Sequence, residues 1–175
     1  MVNSVKTFLK QVGKDYHNQS VNPPVVRAST IIFKTLQDIK KTQSNYKKNP
    51  LSKNFDYGRK GTSTTFELQQ LLRKIENAYQ VYLTPTGFGA VFLGMISVVR
   101  PGDEIIITDS VYSPTRFLTE DYLKKFNIKA VFYDPENLDD LKKKITNKTK
   151  LIFVENPGSN TFEFQDLKKI LSFAK

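Results

Sequence analysis

The sequence predicts an α/β fold, a mostly parallel sheet with helices on both faces, preceded by an extended N-terminal arm. Three observations carry this reading. From Thr64 onward, short β-branched runs alternate with amphipathic stretches, the order that strand–helix–strand units impose. The runs Glu104-Ile105-Ile106-Ile107-Thr108 and Leu151-Ile152-Phe153-Val154 are apolar without alternation, as strands are when both sheet faces are covered. The stretches between them are helical in pattern, which suits right-handed crossovers.

Residues 4–12 place Val5, Phe8, Leu9 and Val12 on one helical face. Pro23-Pro24 forbids helix and forces an extended segment. Thr30-Ile31-Ile32-Phe33 beyond it is either a short strand or an anchored extended stretch. Residues 35–48 form a polar helix whose thin apolar side is Leu36, Ile39 and Tyr46. Residues 49–64 contain Pro50, Gly58 and Gly61 and no periodicity, so they read as a loop. A long irregular loop in a compact domain is functional or an arm reaching a partner.

Phe66, Leu68, Leu71, Leu72 and Ile75 mark an amphipathic helix with Thr64 or Thr65 as its N-cap. Val81-Tyr82-Leu83 reads as a short strand, and Gly87 opens an apolar helix that runs to Val99. Arg100-Pro101-Gly102-Asp103 is a turn, followed by the strand over 104–108. A helix over 114–126 leads to strand 130–133, a helix over 138–145 to strand 151–154, and a last helix covers 164–174. The expected division is residues 1–63 as arm and interface segment and 64–175 as sheet-bearing domain.

Composition narrows the chemistry. A chain of 175 residues, 39% of them hydrophobic, buries roughly 70% of its unfolded surface and needs no metal or disulfide to hold a core. The absence of cysteine excludes a disulfide scaffold, a thiolate nucleophile, an iron–sulfur cluster and any cysteine-based zinc site. His17 is the single histidine. It cannot build a three-histidine zinc site, and it lies in the polar stretch Lys14-Asp15-Tyr16-His17-Asn18-Gln19, where a solvated or locally bonded imidazole is the plain reading. No metal site is expected.

The net charge of +10 raises the question of a polyanionic partner. The basic residues are mostly lysines scattered over polar helical faces, with no arginine-rich segment. They describe a solvated surface, and neither nucleic acid nor membrane is expected as a partner. The N-terminus lacks an apolar signal core. The longest nearly apolar run, residues 87–99, falls short of the ~20 residues of a bilayer span. A soluble, cytoplasmic protein is the expectation.

In an open α/β sheet, ligands gather where strand C-termini lead into helix N-termini. Thr84-Pro85-Thr86-Gly87-Phe88-Gly89 is one such turn. Its glycines let backbone amides approach an anion at a helix N-terminus, or they allow close helix packing. Thr108-Asp109-Ser110-Val111-Tyr112-Ser113-Pro114 places Tyr112 just past a strand, where it stacks on a flat ring or covers the sheet edge. Glu155-Asn156-Pro157-Gly158-Ser159-Asn160 binds ligand or satisfies its own turn. Phe55-Asp56-Tyr57-Gly58-Arg59-Lys60-Gly61-Thr62 is the most informative segment. Arg59 offers a planar fork for a phosphate, and Tyr57, two residues earlier, faces the same side of an extended loop. The alternative there is an exposed basic loop.

Taken together, these motifs resemble the pyridoxal-phosphate enzymes of cysteine and methionine metabolism, of the aspartate-aminotransferase-like fold (fold type I). The resemblance runs through Val26-Arg27-Ala28-Ser29-Thr30-Ile31-Ile32-Phe33, Tyr57-Gly58-Arg59-Lys60-Gly61-Thr62, Leu68-Gln69-Gln70, Pro85-Thr86-Gly87, Tyr112-Ser113-Pro114 and Glu155-Asn156-Pro157-Gly158-Ser159. It implies pyridoxal 5′-phosphate as cofactor. Tyr57 and Arg59 would hold the phosphate of a neighbouring subunit's cofactor, the Gly87 and Phe88 amides would bind phosphate in their own subunit, and Tyr112 would stack on the pyridine ring. Phe88 stands where relatives often carry a smaller or thioether side chain. Ser159 stands where transsulfuration relatives often carry asparagine, which with Arg27-Ala28-Ser29 points to the β-lyase branch.

That branch implies β-elimination from cystathionine to homocysteine, pyruvate and ammonia, in methionine biosynthesis, by a homodimer or homotetramer. The family's Schiff-base lysine, pyridinium-pairing aspartate and carboxylate-binding arginine would lie beyond Lys175, so no catalytic residue is expected within the chain, which reads as an N-terminal fragment. Lys150 is the nearest candidate lysine and reads better as a turn residue after Thr146-Asn147-Lys148-Thr149. The alternatives are a sister enzyme (cystathionine γ-synthase, cystathionine γ-lyase or methionine γ-lyase), a non-catalytic basic binding module, and a short product that pairs with a full-length enzyme.

Overall fold

The computed structural model describes residues 19, 21–48 and 55–174. The expected helix over 4–12, His17 and residues 49–54 of the expected loop lie outside them, as does the side chain of Tyr46. The chain divides into two compact units between Leu83 and Thr84.

In the first unit an extended segment runs from Pro23-Pro24 to Phe33. It is held rather than paired: the Val26 amide donates to Thr64 Oγ1 (2.8 Å), whose hydroxyl donates to the Pro24 carbonyl (2.9 Å). Of residues 30–33 only Thr30 makes a ladder contact, an isolated antiparallel bridge to Tyr57, so the anchored extended stretch is the form adopted. Helix α1 (Leu36–Lys48) starts where Thr35 and Asp38 exchange bonds, each side chain accepting from the other's amide at 3.1 Å. This satisfies first-turn amides that have no partner within a helix.

A single 3₁₀ turn (Gly58–Lys60) precedes α2 (Ser63–Ile75). Thr62, not Thr64 or Thr65, is the N-cap residue. Thr64 is engaged with the arm, and Thr65 Oγ1 accepts from the Thr62 amide at 2.8 Å. Residues 81–83, expected as a strand, are extended without a ladder. Among the described residues no strand lies beside them to take their amides and carbonyls, and an apolar run alone does not make a strand.

The second unit holds a three-stranded parallel sheet, β1 (Glu104–Thr108), β2 (Lys129–Tyr133) and β3 (Thr149–Phe153), in the order β2-β1-β3. Four helical segments surround it: α3 (Gly87–Val98), α4 (Ser113–Phe117), α5 (Leu138–Lys144) and α6 (Leu167–Phe173). α4 continues through a π-helical turn (Leu118–Tyr122) and a 3₁₀ turn (Leu123–Phe126), ending at Asn127 with φ 58°. The expected helix over 114–126 is therefore continuous, but its winding changes twice.

All five residues of β1 are buried, and their alternation divides the core. Ile105 and Ile107 pack with Met95 of α3, Val99 just after it, Val111 just before α4, and Leu118 and Leu123 of the turns that continue α4. Ile106 packs on the other face with Tyr133, Leu141 and Ile170. Each such isoleucine contributes about 1.5–3 kcal/mol by leaving water, and helices cover both sheet faces as the sequence predicts. The N-terminal end of the sheet is tied by the buried Glu104 carboxylate, which meets Lys129 Nζ at 3.1 Å and the hydroxyls of Thr146 and Thr149 at 3.3 and 3.2 Å. β3 begins two residues earlier than its apolar run suggests. α6 begins at Leu167 instead of 164, because Asp166 caps it by accepting from the Lys169 amide at 3.1 Å.

Candidate active site

Glycine builds the arm's loop. A β-carbon on Gly58 would lie 1.6 Å from the Ala28 carbonyl oxygen, and the Gly58 amide donates to the Ser29 carbonyl at 2.7 Å. The two sequence motifs around Ala28 and Gly58 are thus two sides of one close backbone approach. Gly61, at φ 131°, turns the chain from the 3₁₀ turn toward Thr62 and α2. On this frame the Arg59 guanidinium lies 5.1 Å from the Tyr57 ring centre, a cation–π contact that keeps the two expected anion ligands together. Lys60 is held back by Asp56 (2.7 Å), which leaves Arg59 exposed as the fork at the loop's tip.

In the second unit, Thr86 caps α3. Its hydroxyl oxygen accepts from the Gly89 amide (2.9 Å), and its carbonyl from the Ala90 amide (3.1 Å). The amides of Gly87 and Phe88 precede any residue that an α-helix can bond one turn back. Among the described residues nothing outside the helix's own backbone lies within 4 Å of where a β-carbon of Gly87 would sit, so a side chain there would meet open space. α3 leads through residues 100–103 into β1, and Met95 and Val99 at its C-terminal end share a core cluster with Ile105 and Ile107. Two amides without a partner among the described residues, at a helix N-terminus with a glycine that permits close approach, form a donor set suited to a phosphate.

Past β1, Tyr112 opens α4 with 49% of its surface exposed. Its amide donates to Glu155 Oε2 at 2.9 Å, from the loop after β3. The same two loops meet again where the Ser159 amide donates to the Ser110 carbonyl (2.8 Å). There Gly158 sits so close that a β-carbon would be 2.7 Å from Ser110 Oγ and 2.5 Å from Glu163 Oε2. Asp109 is taken by Arg116, whose guanidinium also lies 4.0 Å from the Phe132 ring centre.

Beneath these loops lies Gln165, 8% exposed. Its Nε2 donates to Thr108 Oγ1 (3.3 Å) and to the Glu155 carbonyl (3.0 Å), and its Oε1 accepts from the Tyr133 hydroxyl (2.5 Å). Its backbone amide donates to Asn156 Oδ1 (2.8 Å). One carboxamide thus joins residues at the C-terminal ends of all three strands. Burial pushes the Tyr133 phenol up to about 12, with the Thr108 hydroxyl pulling the other way.

The structure brings Tyr57 together with Arg59 in the first unit, and sets Gly87, Phe88 and Tyr112 at helix starts of the second. Glu155 and Gln165 are the residues whose work the sequence did not reveal. Glu155 lay in a loop already singled out, but its partner, Tyr112, is 43 residues away. Gln165 follows Phe162 and Phe164, the residues there that look like core, yet both are exposed and Gln165 is buried. Among the described residues no group of three or more metal-ligating side chains gathers, and no helix is long and apolar enough to cross a membrane.

A family model described as Cys/Met metabolism PLP-dependent enzyme matches residues 6–175. Over 162 residues the chain is 35% identical to a cystathionine beta-lyase of Haemophilus influenzae, a match covering 93% of this chain and 40% of that protein. It is also 31% identical over 178 residues to an L-alanine/L-glutamate racemase of Wolbachia pipientis, covering 97% and 43% of the two chains. The metY protein of Campylobacter jejuni, solved with N′-pyridoxyl-lysine-5′-monophosphate, superposes with a TM-score of 0.77 at 27% identity, over 90% of this chain and 37% of its own. The chain spans less than half the length of these relatives.

Proposed function

Because the chain belongs to the PLP-dependent enzymes of Cys/Met metabolism, we propose that it supplies the phosphate- and ring-binding side of a cystathionine β-lyase. In this reading the Gly87 and Phe88 amides take the cofactor phosphate, aided by the α3 dipole. Tyr112 lies against the pyridine ring and limits its tilt. Tyr57 and Arg59 reach the phosphate of a second copy's cofactor, so the working protein is a dimer or a higher homo-oligomer. Pyridoxal phosphate, when bound, supplies the electron sink for breaking a carbon–sulfur bond β to an amino group. The chain's own residues bind and orient.

None of residues 1–175 is assigned the covalent or proton-transferring role. Lys150 is exposed on β3, without the burial that activates a nucleophilic lysine. The observation that most supports the reading is Tyr112 at the tip of β1, its amide held by Glu155, with an open, donor-rich helix start in the same unit. The 35% identity to the Haemophilus lyase favours cystathionine as substrate and a methionine-forming route.

The test is cleavage of cystathionine by the whole protein that carries these residues. Pyruvate with homocysteine is the expected outcome, and dominant 2-oxobutyrate would replace β-lyase by a γ-type sister. A second reading, a different reaction of the same family, draws on the 31% identity to the Wolbachia racemase. Racemised alanine without pyruvate would select it.

A further inference from the structure

We propose that Gln165 is a positioning residue that acts through Glu155 to set the height and tilt of the Tyr112 ring; this rests on the cofactor reading above. Among the described residues no aromatic ring stacks on Tyr112, and two restraints hold its backbone. One restraint on that backbone is the Glu155 carboxylate at 2.9 Å. The other is the closed turn in which Thr115 and Arg116 donate to the Tyr112 carbonyl at 2.9 and 3.2 Å. The carboxylate is only as well placed as the backbone bearing it, and Gln165 Nε2 pins that backbone at the Glu155 carbonyl.

The second Nε2 hydrogen goes to Thr108 Oγ1, which is 3.0 Å from Ser110 Oγ, so the same side chain reaches the loop ahead of Tyr112. Oε1 is occupied by Tyr133. Both donors and the acceptor are used, and no other residue type of this size offers two donors and an acceptor in one plane. A glutamate lacks the donors. A leucine fills the space but leaves the strand-end groups without partners.

The experiment uses the cofactor-free form of the whole protein that carries these residues, and two probes. Pyridoxamine 5′-phosphate has the ring and the phosphate but no aldehyde to react with surface lysines, and inorganic phosphate has only the anion. Binding is read by the polarisation of the pyridoxamine ring's own fluorescence and by competition with phosphate. Tyr112→Leu, Glu155→Ala and Gln165→Leu are each expected to weaken pyridoxamine 5′-phosphate by about three- to tenfold, the worth of one aromatic contact, with phosphate affinity unchanged. Glu155→Gln, which keeps an acceptor, restores binding. The Gln165→Leu/Tyr112→Leu double variant binds no more weakly than Tyr112→Leu alone, as required if one acts through the other.

If Gln165→Leu does not fold, Gln165→Glu, which keeps the size and an acceptor but lacks the two donors, carries the same cycle with Tyr112→Leu. If Tyr112→Leu weakens binding while Glu155→Ala and Gln165→Leu do not, or if their effects add to it, the positioning role is overturned and the cofactor reading stands. If the unmodified chain binds pyridoxamine 5′-phosphate no better than phosphate, or Tyr112→Leu changes nothing, both fall together.

Discussion

Gly58 and Gly87 are glycines for different reasons. At Gly58 a methyl group would overlap the Ala28 carbonyl oxygen at 1.6 Å. Gly58→Ala must push the arm off the loop, and urea unfolding should report a loss of about 2 kcal/mol or more. At Gly87 the space is empty, so Gly87→Ala should leave stability within about 0.5 kcal/mol and act only on what approaches the turn. Tyr133 gives a pH prediction. Its phenol is held at about 12 against about 10 in an unfolded chain, so the folded state keeps a proton that the unfolded state gives up. The resulting stability is full below pH 10 and lost as pH rises toward 12. Thermal melting should fall more steeply across that window in the unmodified chain than in Tyr133→Phe. At neutral pH the same substitution strands Gln165 Oε1 at a cost of about 1–3 kcal/mol.

For the elements, the start of α3 is the most informative. Thr86→Ala removes the acceptor for the Gly89 amide and should cost about 1 kcal/mol in denaturant unfolding. Smaller effects of Gly87→Ala on the same scale would separate cap from turn. The long apolar runs were readable because burial on both sheet faces leaves an unmistakable pattern: β1 stands where Glu104-Ile105-Ile106-Ile107-Thr108 predicts it. Residues 81–83 carry a similar signal and are not a strand, since a strand is a property of two paired backbone segments and not of one run of side chains. The N-cap at Thr62 was missed because Thr62, Thr64 and Thr65 are equivalent as letters. Only the arm's claim on Thr64 tells them apart.

On the scale of the whole molecule, motifs distant in sequence become adjacent within each unit. Arg27-Ala28-Ser29 and Tyr57-Gly58-Arg59 meet through Gly58. The Tyr112 and Glu155 loops meet through an amide–carboxylate bond and again where the Ser159 amide donates to the Ser110 carbonyl. The motifs themselves were legible in the sequence because each gathers its residue types in a short span. The bonds between motifs were not, because a hydrogen bond across 43 or 57 residues leaves no local periodicity. The trans role proposed for Arg59 belongs to this scale too. Arg59→Ala should leave the chain's own stability nearly unchanged, as for other exposed side chains (within about 0.5 kcal/mol), yet lower the cofactor content of a full-length relative co-purified with it. Unchanged content would remove Arg59 from the site.

The central claim, a phosphate cradle at the start of α3 beside a stacking Tyr112, is tested most directly by amide and aromatic nuclear magnetic resonance shifts during titration with pyridoxamine 5′-phosphate. The Gly87 and Phe88 amides and the Tyr112 ring protons should move together along one saturating curve. Shifts confined to lysine-rich surfaces, with Gly87 and Phe88 silent, would contradict it.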